Sequence, residues 1–343
     1  SAYSVAESRL LPAESLDFSE HNLMMRSGFD SGPCEGGQGY MTAAYHMRHD
    51  GPVLESQDAY EDTGTVASPT GLTPAKFVQR TLFLPDRASA TDNDTIKQAV
   101  LDYGAVGTAF YMMDGTDPRY PATFNSATNA YYYAGTDAEL NHGVAIVGWD
   151  DNYPASNFAT TPPGNGAFII RNSWGTSWGE AGYFYMSYYC GSALTSNIAM
   201  PVIEAADSGV NTYTFSPLGF TTPVGVGAET GYYANIYVAG GASTLKAVGF
   251  FAPVANTAYV ISIYTDVSAG QPSSGTLAQT VSGTTTYSAY WTHSLGAQEV
   301  PLAAGQRFSV VVKATTPGNN YPIILEMPVA DYSSKASSSA GRS

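Results

Sequence analysis

The stretch LNHGVAIVGWDD (residues 140–151) is followed, after a loop rich in Pro, Gly and Asn, by GAFIIRNSWGTSWGEAGYF (166–184). Each stretch contains a short apolar run with β-branched residues, which is typical of a buried β-strand. His142 stands at the beginning of the first predicted strand, and Asn172 directly follows the second. Both polar side chains are therefore predicted at strand ends, where a rigid sheet can hold functional groups in place.

The occurrence of a histidine, an asparagine and a tryptophan together indicates nucleophilic catalysis. A nucleophile needs a base to take its proton, and His142 can be that base. The carboxamide of Asn172 can fix the tautomer and the ring angle of the base. Trp174, packed on the pair, would keep water away from their hydrogen bond. A histidine alone is more often structural, so the prediction depends on all three residues.

These stretches resemble the His and Asn blocks of papain-like cysteine peptidases. The second block is the more specific, since Asn-Ser-Trp-Gly is followed by Trp-Gly and then by Gly-Tyr-Phe. Other stretches similar to family motifs are DFSEHNL (17–23), GPCEGG (32–37) and DTIKQAVLDYGAVGTAFY (94–111). The resemblance covers residues 1–195. It implies an α+β domain with a helical part and an antiparallel β part, and a cysteine-type endopeptidase activity.

The resemblance also implies a role for each matching residue. The implied catalytic residues are His142 and Asn172, and the implied substrate-binding residues are Gly36, Gly37, Gly143 and Trp174. His142 would be the general base and Asn172 its orienting partner, with Trp174 as their shield. The paired glycines would offer a strand edge to the substrate backbone, where a side chain would prevent close approach. A simple turn is the alternative interpretation of these two glycines. Gly143 would help to line the S2 pocket.

The nucleophile is not expected to be either cysteine of the chain. In the family it opens a long helix, whose dipole lowers the pKa of the thiol. Cys34 falls in the Gly-Gly loop and Cys190 follows a strand, and whether the two form a disulfide stays open. SAYSVAESRLL (1–11) aligns with the central helix of the family, which places the catalytic cysteine four residues before Ser1. We therefore expect the chain to begin just after its nucleophile, also without the oxyanion-hole Gln, and to be inactive alone.

The character of the sequence changes near Met200 and Pro201. Beyond this point, short strand-like runs alternate with clusters of Gly, Pro, Asn and Ser, and no helix is predicted. This pattern predicts an all-β sandwich. The second half also resembles the lectin-like domain of a bacterial and archaeal subset of papain-like peptidases, a layout found in clostridial cell-wall peptidases. We therefore predict a peptidase domain at 1–200 and a lectin-like domain at 201–343, and whether the second is truncated at its C-terminus stays open.

The lectin-like resemblance does not by itself establish that the second domain binds sugar. Tyr287, Tyr290 and Trp291 could stack on a sugar ring, although packing in the core or at a sheet edge is the favoured interpretation. No Asp-x-Asp-x-Asp calcium loop is found. The sequence therefore predicts no cofactor and no metal site, while a cell-wall or surface glycan is a further candidate partner.

Charge and composition limit the classes of partner. Residues 1–200 contain nine Lys and Arg against 22 Asp and Glu, and the whole chain carries a net charge of −15. Such a chain is not expected to bind nucleic acid. No apolar run is long enough to cross a membrane, and the low Lys and high Tyr content favours a secreted or cell-surface protein.

Two classes of function compete. The first is a prokaryotic thiol endopeptidase that acts on protein or peptide substrates. The alternative is a non-catalytic surface protein, or pseudo-peptidase, that binds peptide or glycan. The combination of His142, Asn172 and Trp174 favours the first class, because a purely binding role has no need of this set.

Overall fold

A computed structural model of the chain describes residues 2–32, 35–61, 63–136 and 138–336. The helices are α1 Ala2–Leu10, α2 Glu20–Arg26, α3 Gly39–Met47, α4 Asp94–Tyr103 and α5 Tyr120–Thr123. The strands of the first part are β1 Lys76–Phe83, β2 Val106–Phe110, β3 Phe124–Asn125, β4 Ala130–Tyr131, β5 His142–Asp150, β6 Ala167–Arg171, β7 Tyr183–Ser187 and β8 Ala193–Ala205. Those that follow are β9 Thr222–Val224, β10 Thr230–Val238, β11 Ser243–Leu245, β12 Ala247–Ala252, β13 Ala258–Thr265, β14 Thr276–Thr284, β15 Ser288–Ser294, β16 Val300–Leu302, β17 Arg307–Thr315 and β18 Ile323–Leu325.

The described residues form two compact units that are not contiguous along the chain. Unit 1 combines the residues up to Leu16 with Phe83–Pro201, and unit 2 combines Asp17–Leu82 with the residues after Pro201. The segment with α2 and α3 therefore belongs to the same unit as the β-rich second half. The predicted domains, 1–200 and 201–343, are consecutive segments of the chain, and this division stays a prediction.

Unit 1 is a mainly antiparallel sheet on which two of its helices pack. Its strands follow the order β8-β2-β5-β6-β7-β4-β3, and the β4–β7 pair alone among the described pairs of this unit is parallel. Helices α1 and α4 pack on β2 and β5. Phe110, Ile146 and Phe168 are fully buried, so the apolar runs recognised in the sequence form the core of this unit.

Helix α4 begins at Asp94 without a side-chain cap. Its N-cap residue is Asn93, whose side chain makes no capping hydrogen bond. Instead, Asn93 Oδ1 accepts from Arg87 at 2.8 Å and Nδ2 donates to the Ala90 carbonyl at 3.1 Å. These local contacts give the Asn93 side chain other partners.

Unit 2 combines helices α2 and α3 with the all-β second half. One sheet has the order β10-β17-β13-β14, and β12 pairs with β15 in a second layer. Side chains from both layers share one core, which includes Val248, Phe250, Ile261, Ile263, Phe308 and Val312. Tyr290 is buried and Trp291 packs against this core, in agreement with the packing interpretation of these two rings rather than sugar stacking.

A smaller apolar cluster in unit 2 joins parts of the chain that are far apart in sequence. It contains Phe29, Met41, Ala44, Leu218 and Ala336. The ring of Tyr332 lies 5.0 Å from that of Phe29, measured between centroids. The α2–α3 segment and the end of the second half are therefore packed into one core.

Candidate active site

The register of β5 with its neighbours brings His142 and Asn172 to one edge of the unit 1 sheet. His142 begins β5 and pairs with Phe110, the last residue of β2. Arg171 ends β6 and pairs with Ala145 of β5. Since β5 and β6 are antiparallel, the beginning of one strand lies beside the end of the other. Residues thirty positions apart in sequence thus become neighbours.

The hydrogen bonds of Asn172 determine the proton positions of His142. Asn172 Oδ1 lies 2.8 Å from His142 Nε2, and the backbone N–H of Ser173 donates to the same oxygen at 2.8 Å. A backbone N–H can only donate, so the atom that it faces must be the amide oxygen. The imidazole therefore carries its proton on Nε2 and donates a hydrogen bond from Nε2–H to Asn172 Oδ1. Within the described part of the chain, Nδ1 makes no hydrogen bond and keeps its lone pair.

Aromatic rings cover the histidine. The indole of Trp174 is stacked on the imidazole, with 4.9 Å between the centroids and 23° between the planes. The ring of Phe110 lies 5.5 Å away. Burial lowers the pKa of His142, while the hydrogen bond to Asn172 acts in the opposite direction. The site therefore favours a neutral imidazole, as a general base requires.

Trp174 is itself held by a compact turn after β6. It remains 45% exposed, and its ring meets Trp178 edge-on at 5.0 Å. Gly179 has a φ of +59°, and a Cβ there would lie 2.4 Å from the Tyr183 carbonyl oxygen. Only glycine fits that position without a shift of the backbone. Trp178 also contacts Phe124 and Phe184, so it packs the turn against the sheet.

Asn141 is a residue of the site that the sequence interpretation did not single out. Its Oδ1 accepts from the Met112 N–H at 2.8 Å, and its Nδ2 donates to the Met112 carbonyl at 3.0 Å. This two-bond clamp fixes the chain directly before His142. The only sequence signal was a polar residue at the mouth of an apolar strand.

The predicted substrate-binding glycines lie in different units. Gly143 is exposed beside His142 and pairs with Ala109 of β2. Gly36 and Gly37 are exposed residues of unit 2, and Gly36 has a φ of +81°. No atom of the described residues lies within 4 Å of the place of a Cβ at Gly36, while a Cβ at Gly37 would lie 3.4 Å from Met41 Sδ. Their role toward a substrate stays a prediction.

The cysteines give no alternative nucleophile among the described residues. Cys190 is a free, buried thiol, and burial raises its pKa to about 12. A thiol of this kind remains protonated and unreactive near neutral pH. Cys34 lies outside the described residues.

The fold agrees with comparisons to known proteins. Residues 1–202 match the papain family of cysteine proteases, and the chain belongs to that family. Residues 212–343 match a lectin-like domain. The sequence resemblance and the predicted fold class, a papain-like α+β domain followed by a lectin-like β domain, are thereby confirmed.

Solved structures and curated relatives give the same picture. The cysteine protease and lectin-like domains of Cwp84, a surface layer associated protein of Clostridium difficile, superpose with a TM-score of 0.77 at 25% identity, covering 94% of this chain and 71% of that one. Cathepsin K of Gallus gallus is 31% identical over 44% of this chain and 40% of its own length. Cysteine proteinase 3 of Entamoeba histolytica is 28% identical over 52% of this chain and 53% of its own. The chain thus spans about half or less of these two relatives.

Proposed function

We propose that this chain supplies the histidine and asparagine of the Cys–His–Asn site of a cysteine endopeptidase. The observation that carries the proposal is the hydrogen-bonded arrangement of His142, Asn172 and Ser173, which leaves Nδ1 of the imidazole available. Family membership and the TM-score of 0.77 to Cwp84 support it. Gly36, Gly37, Gly143 and Trp174 are proposed to bind the substrate.

His142 moves the protons in the proposed mechanism. Nδ1 accepts the proton of the catalytic thiol, and the thiolate attacks the carbonyl carbon of the scissile peptide bond. The imidazolium then protonates the leaving amine, which leaves an acyl-enzyme. Nδ1 next takes a proton from water, whose oxygen attacks the thioester carbon. The C–S bond then breaks, the acid is released, and the imidazolium returns its proton to the departing sulfur. Asn172 Oδ1 accepts the hydrogen bond from Nε2–H throughout and so stabilises the imidazolium.

The catalytic thiol is proposed to be neither Cys34 nor Cys190. Cys190 is buried and its pKa is raised to about 12, which is the reverse of what a nucleophile needs. Residues 1–343 alone are therefore expected to show no turnover.

The proposed setting is a secreted or cell-surface protein of a prokaryote. Cwp84 is described as surface layer associated, and no helix in the described ranges has the length and apolar character of a membrane span. Residues 201–343 are proposed to contact a cell-wall or surface glycan, while residues 1–200 act on protein or peptide substrates.

The test is peptide hydrolysis by protein expressed from its complete gene. We expect turnover, covalent labelling by a thiol-directed epoxide, and a loss of at least roughly 100-fold in kcat/KM for His142→Ala. Leu101→Ala, which changes a side chain that is 69% exposed, is the control and should retain full rate. A folded protein that is neither labelled nor active would leave the non-catalytic binding protein as the better account.

A further inference from the structure

The outward side of the β10-β17-β13-β14 sheet carries apolar side chains among its polar ones. Tyr233, Ile261 and Val312 belong to the core side. Successive side chains of a strand point to opposite faces, so Tyr232, Val260 and Val311 point outward. Such positions are normally polar, yet all three are aromatic or aliphatic, and Tyr232 is 63% exposed.

The strand register aligns the outward residues in transverse rows. Tyr232 pairs with Lys313, Lys313 with Val260, and Val260 with Ser282. In the next row, Ala234 pairs with Val311. We call these six residues the outer face. It combines an exposed ring, small aliphatic side chains, a cation and a hydroxyl on one rigid surface.

The charge of the outer face is opposite to that of the chain. Strands β10, β13, β14 and β17 contain no Asp or Glu, whereas the chain as a whole has a net charge of −15. Lys313 Nζ lies 5.9 Å from the ring centroid of Tyr232. Within the described ranges Lys313 forms no ion pair, so its charge is available to a ligand. The face therefore suits an anionic group and does not suit a cationic one.

A loop limits the outer face at one end. Ser309 also points outward, but it is fully buried and donates to the carbonyl of Pro272. The loop between β13 and β14 therefore crosses this end of the sheet. In the row that contains Tyr232 and Lys313, the two outermost residues, Tyr232 and Ser282, are exposed, and Lys313 is half-buried.

We propose that the outer face binds an acidic polysaccharide. The ring of Tyr232 stacks on the apolar side of a sugar ring, Lys313 binds a carboxylate or phosphate group, and the Ser282 hydroxyl hydrogen-bonds to the sugar. The proposal rests on the glycan-binding role proposed for residues 201–343 and names the ligand class and the site. It does not depend on peptidase activity.

The test is calorimetric titration of residues 1–343 with three probes. These are polygalacturonate, poly(glycerol phosphate) and neutral dextran. We expect saturable binding of at least one acidic polymer, tenfold or more tighter than of dextran. Lys313→Gln and Tyr232→Ser should each weaken it at least fivefold. The control variants are Lys246→Gln and Tyr321→Ser, which change an exposed cation and an exposed ring outside the outer face, and should stay within twofold.

The outcomes separate the ligand class from the broader role. Preference for one acidic polymer identifies carboxylate or phosphate as the recognised group. Equal binding of dextran with no effect of Lys313→Gln overturns the acidic class but keeps a glycan role. An equal loss in Lys246→Gln shows that binding is non-specific electrostatics and overturns the site. Absence of binding to all three polymers overturns the proposal, and the peptide-hydrolysis result is unaffected by any of these.

Discussion

At the scale of single residues, the chemistry of the site follows from one oxygen atom. Asn172 Oδ1 faces both the Ser173 N–H and His142 Nε2, so the histidine tautomer is determined by a backbone amide that cannot change its role. Trp174 adds a different effect, because it removes water from one face of the imidazole. The sequence predicted both partners of His142 but not the Ser173 contact, since a backbone donor leaves no trace in residue types.

Removal of the Trp174 ring should raise the pKa of His142. Burial lowers this pKa, so Trp174→Ala, which admits water, should shift it upward toward the ordinary value near 6.5. The measurement is an NMR titration of the His142 ring protons. Leu101→Ala is the matched surface control. An unchanged or lower pKa in Trp174→Ala would show that the indole does not desolvate the ring.

At the scale of elements, antiparallel pairing explains why the site could be predicted before the structure. In an antiparallel pair, the first residue of one strand and the residue after the end of the other strand lie at the same edge of the sheet. His142 begins β5 and Asn172 follows the end of β6. The Asn141 clamp could not be predicted in the same way. Its partner Met112 follows β2 and is recognised through backbone atoms, which carry no residue-specific signal.

Loss of the Asn141 clamp should loosen the beginning of β5. Asn141→Ala removes two hydrogen bonds to Met112 and leaves backbone groups to find water, at a cost of about 1–3 kcal/mol in the free energy of unfolding. Urea denaturation measures this cost, and faster hydrogen exchange at the Met112 amide locates it. Asn152→Ala, at an exposed asparagine of the following turn, should change neither. A stability loss without faster exchange at Met112 would contradict the local explanation.

At the scale of the whole molecule, acid should destabilise the fold through a buried histidine. His46 in α3 is fully buried, and burial lowers its pKa to about 3. The unfolded chain, with a histidine pKa near 6.5, binds more protons than the folded protein between these two values. Stability is therefore complete above about pH 6.5 and decreases as the pH falls toward 3.

Replacement of His46 should make the loss of stability with falling pH less steep. The histidine contributes a slope of as much as about 1.4 kcal/mol per pH unit, and His46→Leu removes it. The difference between the two proteins isolates His46, because burial also lowers the pKa of His49 and His293 in both. The free energy of unfolding, measured from pH 7 to pH 4, gives the slopes. Identical pH dependence in the two proteins would show that His46 is not the acid-sensitive group.

The sequence could not predict which segments of the chain form unit 2. Local periodicity identifies α3 and the strands of the second half one by one, but contacts between distant segments leave no periodic signal. Residues 17–82 therefore gave no indication that they form one compact unit with residues after Pro201.

The cluster of Phe29, Met41, Ala44, Leu218 and Ala336 has a consequence for how such proteins can evolve. Its first three members belong to the segment matched by the papain family, and its last two to the segment matched by the lectin-like domain. A gene fusion that exchanged the second segment for a foreign one would leave Phe29 and Met41 without their apolar partners. The two segments therefore cannot be exchanged independently during evolution. Mutations in one should be followed by compensating mutations in the other.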